Sequence, residues 1–103
     1  MLGDELSQAL TTLTQLITKT AEPWARQALL AQHEQLAGAL QVFIDRLVEP
    51  TLPEYAEATK ALKAANRLAA AAKTDLDQLA ATLESMAKAV RKVAALAVAV
   101  GLG

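Results

Sequence analysis

From Pro53 to Val100 the sequence contains no glycine and no further proline, and nothing else in the chain limits the fold so strongly. A stretch of that length built mainly from Ala, Leu and Lys has high helix propensity and no residue that interrupts a helix. Its apolar positions repeat in heptads. Tyr55, Leu62, Ala69, Leu76, Leu83, Val90 and Ala97 fall at position a, and Ala58, Ala65, Ala72, Leu79, Met86, Val93 and Val100 at position d. That alternation of three and four residues is the pattern of a coiled-coil seam. A competing signal lies at "KTDLDQ", residues 73–78, where Asp75 followed by Gln78 imitates a capping box. Because the seam passes through this segment in phase, the spacing predicts one helix over 53–100, about 48 residues and on the order of 70 Å long.

The N-terminal half is punctuated differently. Asp4 and Glu5 stand in the first turn of a helix predicted over 4–19, where carboxylates complement the positive end of the helix dipole. Its apolar stripe is Leu6, Ala9, Leu10, Leu13, Leu16 and Ile17. Pro23 then marks the opening of a second helix over 23–49, since proline has no amide hydrogen to lose there. That helix carries Leu29, His33, Leu36, Leu40, Phe43 and Leu47 along one stripe, flanked by Leu30, Ala37, Ile44 and Val48. "EPTLPE" closes it with two prolines three residues apart, a rigid turn that divides the chain nearly in half.

Together these elements predict a single all-α domain over residues 1–103. The expected shape is an elongated antiparallel hairpin kinked at Pro23, or a three-helix bundle, with one very long C-terminal helix in either case. Apolar residues beside the seam widen the predicted contact faces beyond what one partner helix covers. This predicts a homodimer or higher homo-oligomer completing a four-helix or larger bundle, with Leu62, Ala65, Ala69, Ala72, Leu76, Leu79, Leu83, Met86, Val90 and Val93 as its self-association seam. Another helical protein is the alternative partner.

The chemistry-bearing residues are sparse. The chain has no cysteine, which excludes disulfides and thiolate chemistry, and one histidine, His33, with no second His or Cys to share a metal. Asp75 and Asp77 point in different directions on the predicted helix, and Glu54 and Glu57 occupy a first turn. No phosphate loop, dinucleotide glycine pattern, nucleophile elbow or zinc motif occurs. A noncatalytic assembly or interaction module without cofactor or metal is therefore expected. Trp24, Phe43 and Tyr55 are too dispersed to stack bases, so Trp24 and Tyr55 are expected to plug the two helix corners.

Two charge features stand out against a net charge of -1. Lys60, Lys63, Arg67, Lys73, Lys88, Arg91 and Lys92 all lie on the predicted third helix, forming a candidate basic face for an acidic partner or an anionic membrane surface. With ten basic and eleven acidic residues overall, nucleic acid is not an expected partner. After Lys92 the helix turns apolar all round. Arg91, Lys92, Leu96, Val98 and Leu102 are thus candidate membrane or partner contacts, although eleven residues cannot cross a bilayer that needs about 20. The acidic N-terminus lacks the form of a signal peptide, which predicts a cytoplasmic protein. The alternative expectation is a membrane-associated protein, or the soluble part of a membrane protein, that uses the apolar end 93–103 with its basic flank.

Overall fold

The computed structural model describes residues 2–45 and 50–100. It forms a four-helix bundle: α1 (Leu2–Lys19), α2 (Pro23–Asp45), α3 (Pro53–Ala72) and α4 (Leu79–Ala99), with a short 3-10 turn (Leu76–Gln78) leading into α4. The residues expected to end the second helix, 46–49, and Gly101 to Gly103 lie outside the described residues.

The predicted continuous helix over 53–100 is two helices folded against each other. α3 stops at Ala72, and Lys73 donates its backbone N–H to the Ala69 carbonyl at 3.2 Å. Asp75 then adopts an extended backbone (φ -143°, ψ 96°), and its Oδ1 accepts the Asp77 N–H at 3.1 Å. Asp75 is thus a helix cap, and the capping signal in "KTDLDQ" outweighs the heptad that runs through it. The in-phase seam was a coincidence of register. In α3 the buried apolar residues keep to positions a and d, with Asn66 buried beside them at e, but in α4 the buried residues are Thr82, Met86, Ala89, Val93 and Leu96, a stripe displaced onto d and g. Leu79, Leu83 and Val90, expected at the seam, sit half-buried at its edge.

The molecule is accordingly not the expected rod. Its extents are 38 × 19 × 18 Å, with a radius of gyration of 13.2 Å, close to the ~13 Å of a compact chain of this length.

Each half of the chain is an antiparallel helical hairpin, α1–α2 and α3–α4. The two hairpins lie side by side, α1 against α3 and α2 against α4. The ends of α1 and α3 are joined by Lys19, whose Nζ donates to the Lys73 carbonyl at 3.0 Å, and their beginnings by the Leu2 N–H, which donates to the Tyr55 hydroxyl at 3.3 Å. α1 and α3 are therefore parallel. Both hairpins turn at the same dipeptide. In Lys19-Thr20 the threonine hydroxyl donates back to the Leu16 carbonyl at 2.7 Å, and in Lys73-Thr74 it donates to the Ala71 carbonyl at 3.1 Å. Such back-bonding ties each threonine to the last turn of its helix.

The core follows one spacing in every helix. Leu2, Leu6, Ala9, Leu13 and Leu16 of α1 and Ala58, Leu62, Ala65, Ala69 and Ala72 of α3 alternate steps of four and three, as do Ala25, Leu29, Gln32 and Leu36 of α2. α1 supplies mostly leucine and α3 mostly alanine to the shared cluster. Large side chains thus fill the space that small ones leave, which permits close approach of the two helices. Each parallel pair is also pinned by one buried amide. Asn66 Nδ2 donates to the Glu5 carbonyl and Gln32 Nε2 to the Leu83 carbonyl, both at 3.0 Å.

Candidate functional site

Folding α4 back onto α3 creates what a straight helix could not. Along a continuous helix Lys60 and Lys88 would stand roughly 42 Å apart, at 1.5 Å per residue. In the hairpin they border the same groove, about 330 Å³ in volume, lined by Glu57, Lys60, Ala61 and Ala64 from α3 and by Ser85, Lys88 and Lys92 from α4. A second concavity of about 560 Å³ begins at Lys60 and Ala64 and continues across α3 past Lys63 and Arg67 to Tyr55.

The floor is small and the rim is charged. Ala61 and Ser85 are half-buried, whereas Lys60, Lys63, Arg67 and Lys88 are exposed. Why the sequence puts lysines here follows from the core spacing. With Ala58, Leu62, Ala65 and Ala69 committed inward, positions 60, 63 and 67 must face out, and Met86, Ala89 and Val93 do the same for positions 88 and 92. The two concavities take five of the chain's ten cations and one of its eleven carboxylates. The other five cations and ten carboxylates give the rest of the chain a charge of about -5, so this surface is a basic patch on a weakly acidic protein.

Glu57 is the one carboxylate among these lining residues. Its Oε2 stands 3.4 Å from Lys92 Nζ, bridging α3 and α4 across the groove, with side-chain exposures of 59% and 38%. An ion pair this open to water contributes at most about 1 kcal/mol. Glu57 therefore neutralises Lys92 locally without locking the groove.

The remaining site expectations divide sharply. Leu62, Ala65, Ala69, Ala72, Met86 and Val93 of the predicted self-association seam are buried within a single chain, while Leu76 is 48% exposed at the α3–α4 turn. A second copy is not needed to cover that seam. Among the predicted membrane or partner contacts, Leu96 belongs to the core, because α4 buries position g. Arg91 is exposed, Lys92 pairs with Glu57, and Val98 is 64% exposed beside exposed Ala94, Ala95 and Ala99. Leu102 lies outside the described residues.

Tyr55 joins the bundle end through its hydroxyl, but Trp24 is 64% exposed and plugs nothing. The α1–α2 corner is closed instead by buried Thr20 and Ala25. His33 is half-buried on α2, and the described residues hold no group of three His, Cys, Asp or Glu placed to bind a metal ion. No helix among them is long and apolar enough to cross a membrane. The juxtaposition of Lys60 with Lys88 was hidden from the sequence, and the capping signal at Asp75 was the one feature that could have revealed it. The chain matches no protein-family model, and comparison with curated proteins and with solved structures gave no match either.

Proposed function

We propose that the protein is a cytoplasmic, noncatalytic helical interaction module that receives an acidic segment of a partner protein on its α3–α4 face. The observation that carries this reading is the segregation of charge: five cations converge on adjoining concavities while the chain as a whole is weakly acidic. Electrostatic complementarity of this kind steers encounter and discriminates against basic partners more than it adds affinity. The alanine floor gives a partner backbone room to approach.

Titration of the isotope-labelled protein with a twelve-residue glutamate-rich peptide tests it. Amide shifts should concentrate at Ala61, Ala64, Ser85 and Lys88. Replacing Lys60, Lys63 and Lys88 together by glutamine should weaken binding at least about threefold, since three exposed contacts at about 0.2–1 kcal/mol each amount to about 0.6–3 kcal/mol. Shifts centred on α1 and α2, or a triple variant that binds as tightly as the parent, would refute the proposal.

A second reading, peripheral contact with an anionic membrane, draws on exposed Val98, Ala94, Ala95 and Ala99 following Arg91 and Lys92. Flotation with anionic vesicles that is lost in Val98→Asp would support it. Equal flotation of both proteins would dismiss it.

A further inference from the structure

The banks of the α3–α4 groove say more about its occupant than its charge. Both are helices whose backbone N–H and C=O groups are engaged along their own axes, so neither offers a row of free donors and acceptors. An extended segment gains affinity by adding main-chain hydrogen bonds to a sheet edge, and none is present along this groove. A helix brings its own backbone hydrogen bonds and packs by fitting side-chain ridges into the furrow between two neighbours.

Residue size and charge placement fit the same occupant. Half-buried Ala61 and Ser85 form a floor of small side chains with exposed Ala64 beside them, Lys60 on the α3 bank and Lys88 and Lys92 on the α4 bank. Lys88 and Lys92 are one turn apart on α4, and a helix lying along the groove presents carboxylates at the same interval when they are spaced four residues apart. Lys92 is already engaged by an acidic group from a helix, since Glu57 of α3 holds it at 3.4 Å.

Resting on the reading of this face as a site for an acidic partner, we infer that its occupant is an acidic amphipathic helix. The helix lays a stripe of small apolar residues on Ala61 and Ala64. Its carboxylates flank the stripe, meet Lys60 and Lys88, and displace Glu57 from Lys92.

The test compares two fluorescent sixteen-residue probes of identical composition and charge. One places glutamates at four-residue spacing beside an alanine stripe, and the other carries the same residues in an order that abolishes the amphipathic pattern. The expected result is at least tenfold tighter binding of the patterned probe in anisotropy titrations, with a rise in its helicity on binding. The preference should collapse to less than threefold in Lys60→Gln/Lys88→Gln, both exposed positions that leave the core intact. In Glu57→Gln the patterned probe should bind two- to fivefold tighter. Equal binding of the two probes overturns the helical occupant while leaving the acidic-partner reading in place. Failure of both probes to bind at 1 mM overturns that reading as well. Binding to phosphatidylserine vesicles that the patterned probe does not compete away, or a doubling of mass by light scattering that masks the groove, assigns the face to a membrane or to a second copy and likewise overturns the inference.

Discussion

Removing the signal that breaks the C-terminal half should not straighten it. Consider Lys73→Ala/Thr74→Ala/Asp75→Ala, which deletes the cap and fills the turn with the best helix-forming residue. The cap, one hydrogen bond from the Asp77 N–H to Asp75 Oδ1, is worth about 1 kcal/mol. The alanines favour a continuous helix by a further ~0.5 kcal/mol per residue, so straightening gains about 2–3 kcal/mol in all. Against this, opening the α3–α4 hairpin exposes Met86, Val93 and Leu96, each at most 1% exposed in the bundle. Three such side chains at about 1.5–3 kcal/mol each cost about 4.5–9 kcal/mol, before the facing residues of α3 are counted. The hairpin wins. The variant should lose about 1 kcal/mol by urea titration, a fall in Tm of about 4–8 °C. Its radius of gyration by small-angle scattering should stay near the 13.2 Å of the parent. A straightened chain can recover the lost burial by exchanging helices with a second copy, so mass must be measured in the same sample at a few micromolar. A radius of gyration near 20 Å, the value for a rod of roughly 70 Å, would refute the reasoning, as would a doubled mass. Either would mean that a short polar cap, not the packing, decides the architecture.

Other perturbations separate core from surface. Leu62→Ala removes a fully buried side chain and should cost about 2–5 kcal/mol in urea unfolding with no change in molecular mass, whereas loss of a seam between copies would appear as dissociation. Asn66→Ala loses the 3.0 Å bond to the Glu5 carbonyl and should cost only about 1 kcal/mol, because that carbonyl keeps its helical partner. Trp24→Ala, at a position 64% exposed, should shift the unfolding midpoint by less than about 0.5 kcal/mol, and a larger loss would restore Trp24 as a corner plug. Glu57→Gln breaks the open ion pair with Lys92, so thermal stability should fall by less than about 1 kcal/mol.

How far the fold can be read from the sequence depends on which kind of signal decides each element. The all-helical class and the breaks at Pro23 and Pro53 follow from backbone restrictions that tertiary contacts do not override, and α2 and α3 begin at those two prolines. The turn at 73–78 rests instead on a contest between a local cap and a periodic pattern. A heptad counts only sequence spacing, so it cannot register that the chain reverses between Ala72 and Leu79 and resumes with a different face inward. Thr82, Ala89 and Leu96 look like flanking positions in the original frame and are buried in the new one. The cap, by contrast, is a local physical event. Where a pattern and a cap disagree over a few polar residues, the pattern survives either outcome and so discriminates nothing.

The same reversal explains why the candidate site was only half legible. That the cations favour one half of the chain is plain from Lys60, Lys63, Arg67, Lys88 and Lys92 in order, but on a straight helix they describe a long, dilute stripe interrupted by Asp75, Asp77 and Glu84. At physiological ionic strength, charges separated by more than about 8 Å are largely screened from one another, and such a stripe would act as two separate groups, Lys60, Lys63 and Arg67 in one and Lys88 and Lys92 in the other, roughly 32 Å apart. Folding at Asp75 brings its two ends together and carries Asp75 and Asp77 away to the turn, so the cations gather around adjoining concavities whose lining residues include one carboxylate, Glu57. Site and turn therefore share one cause: the packing of α4 back onto α3, carried by buried Met86, Val93 and Leu96, decides whether the lysines act together, and a variant that straightened the helix would lose the acidic probe with every lysine still in place.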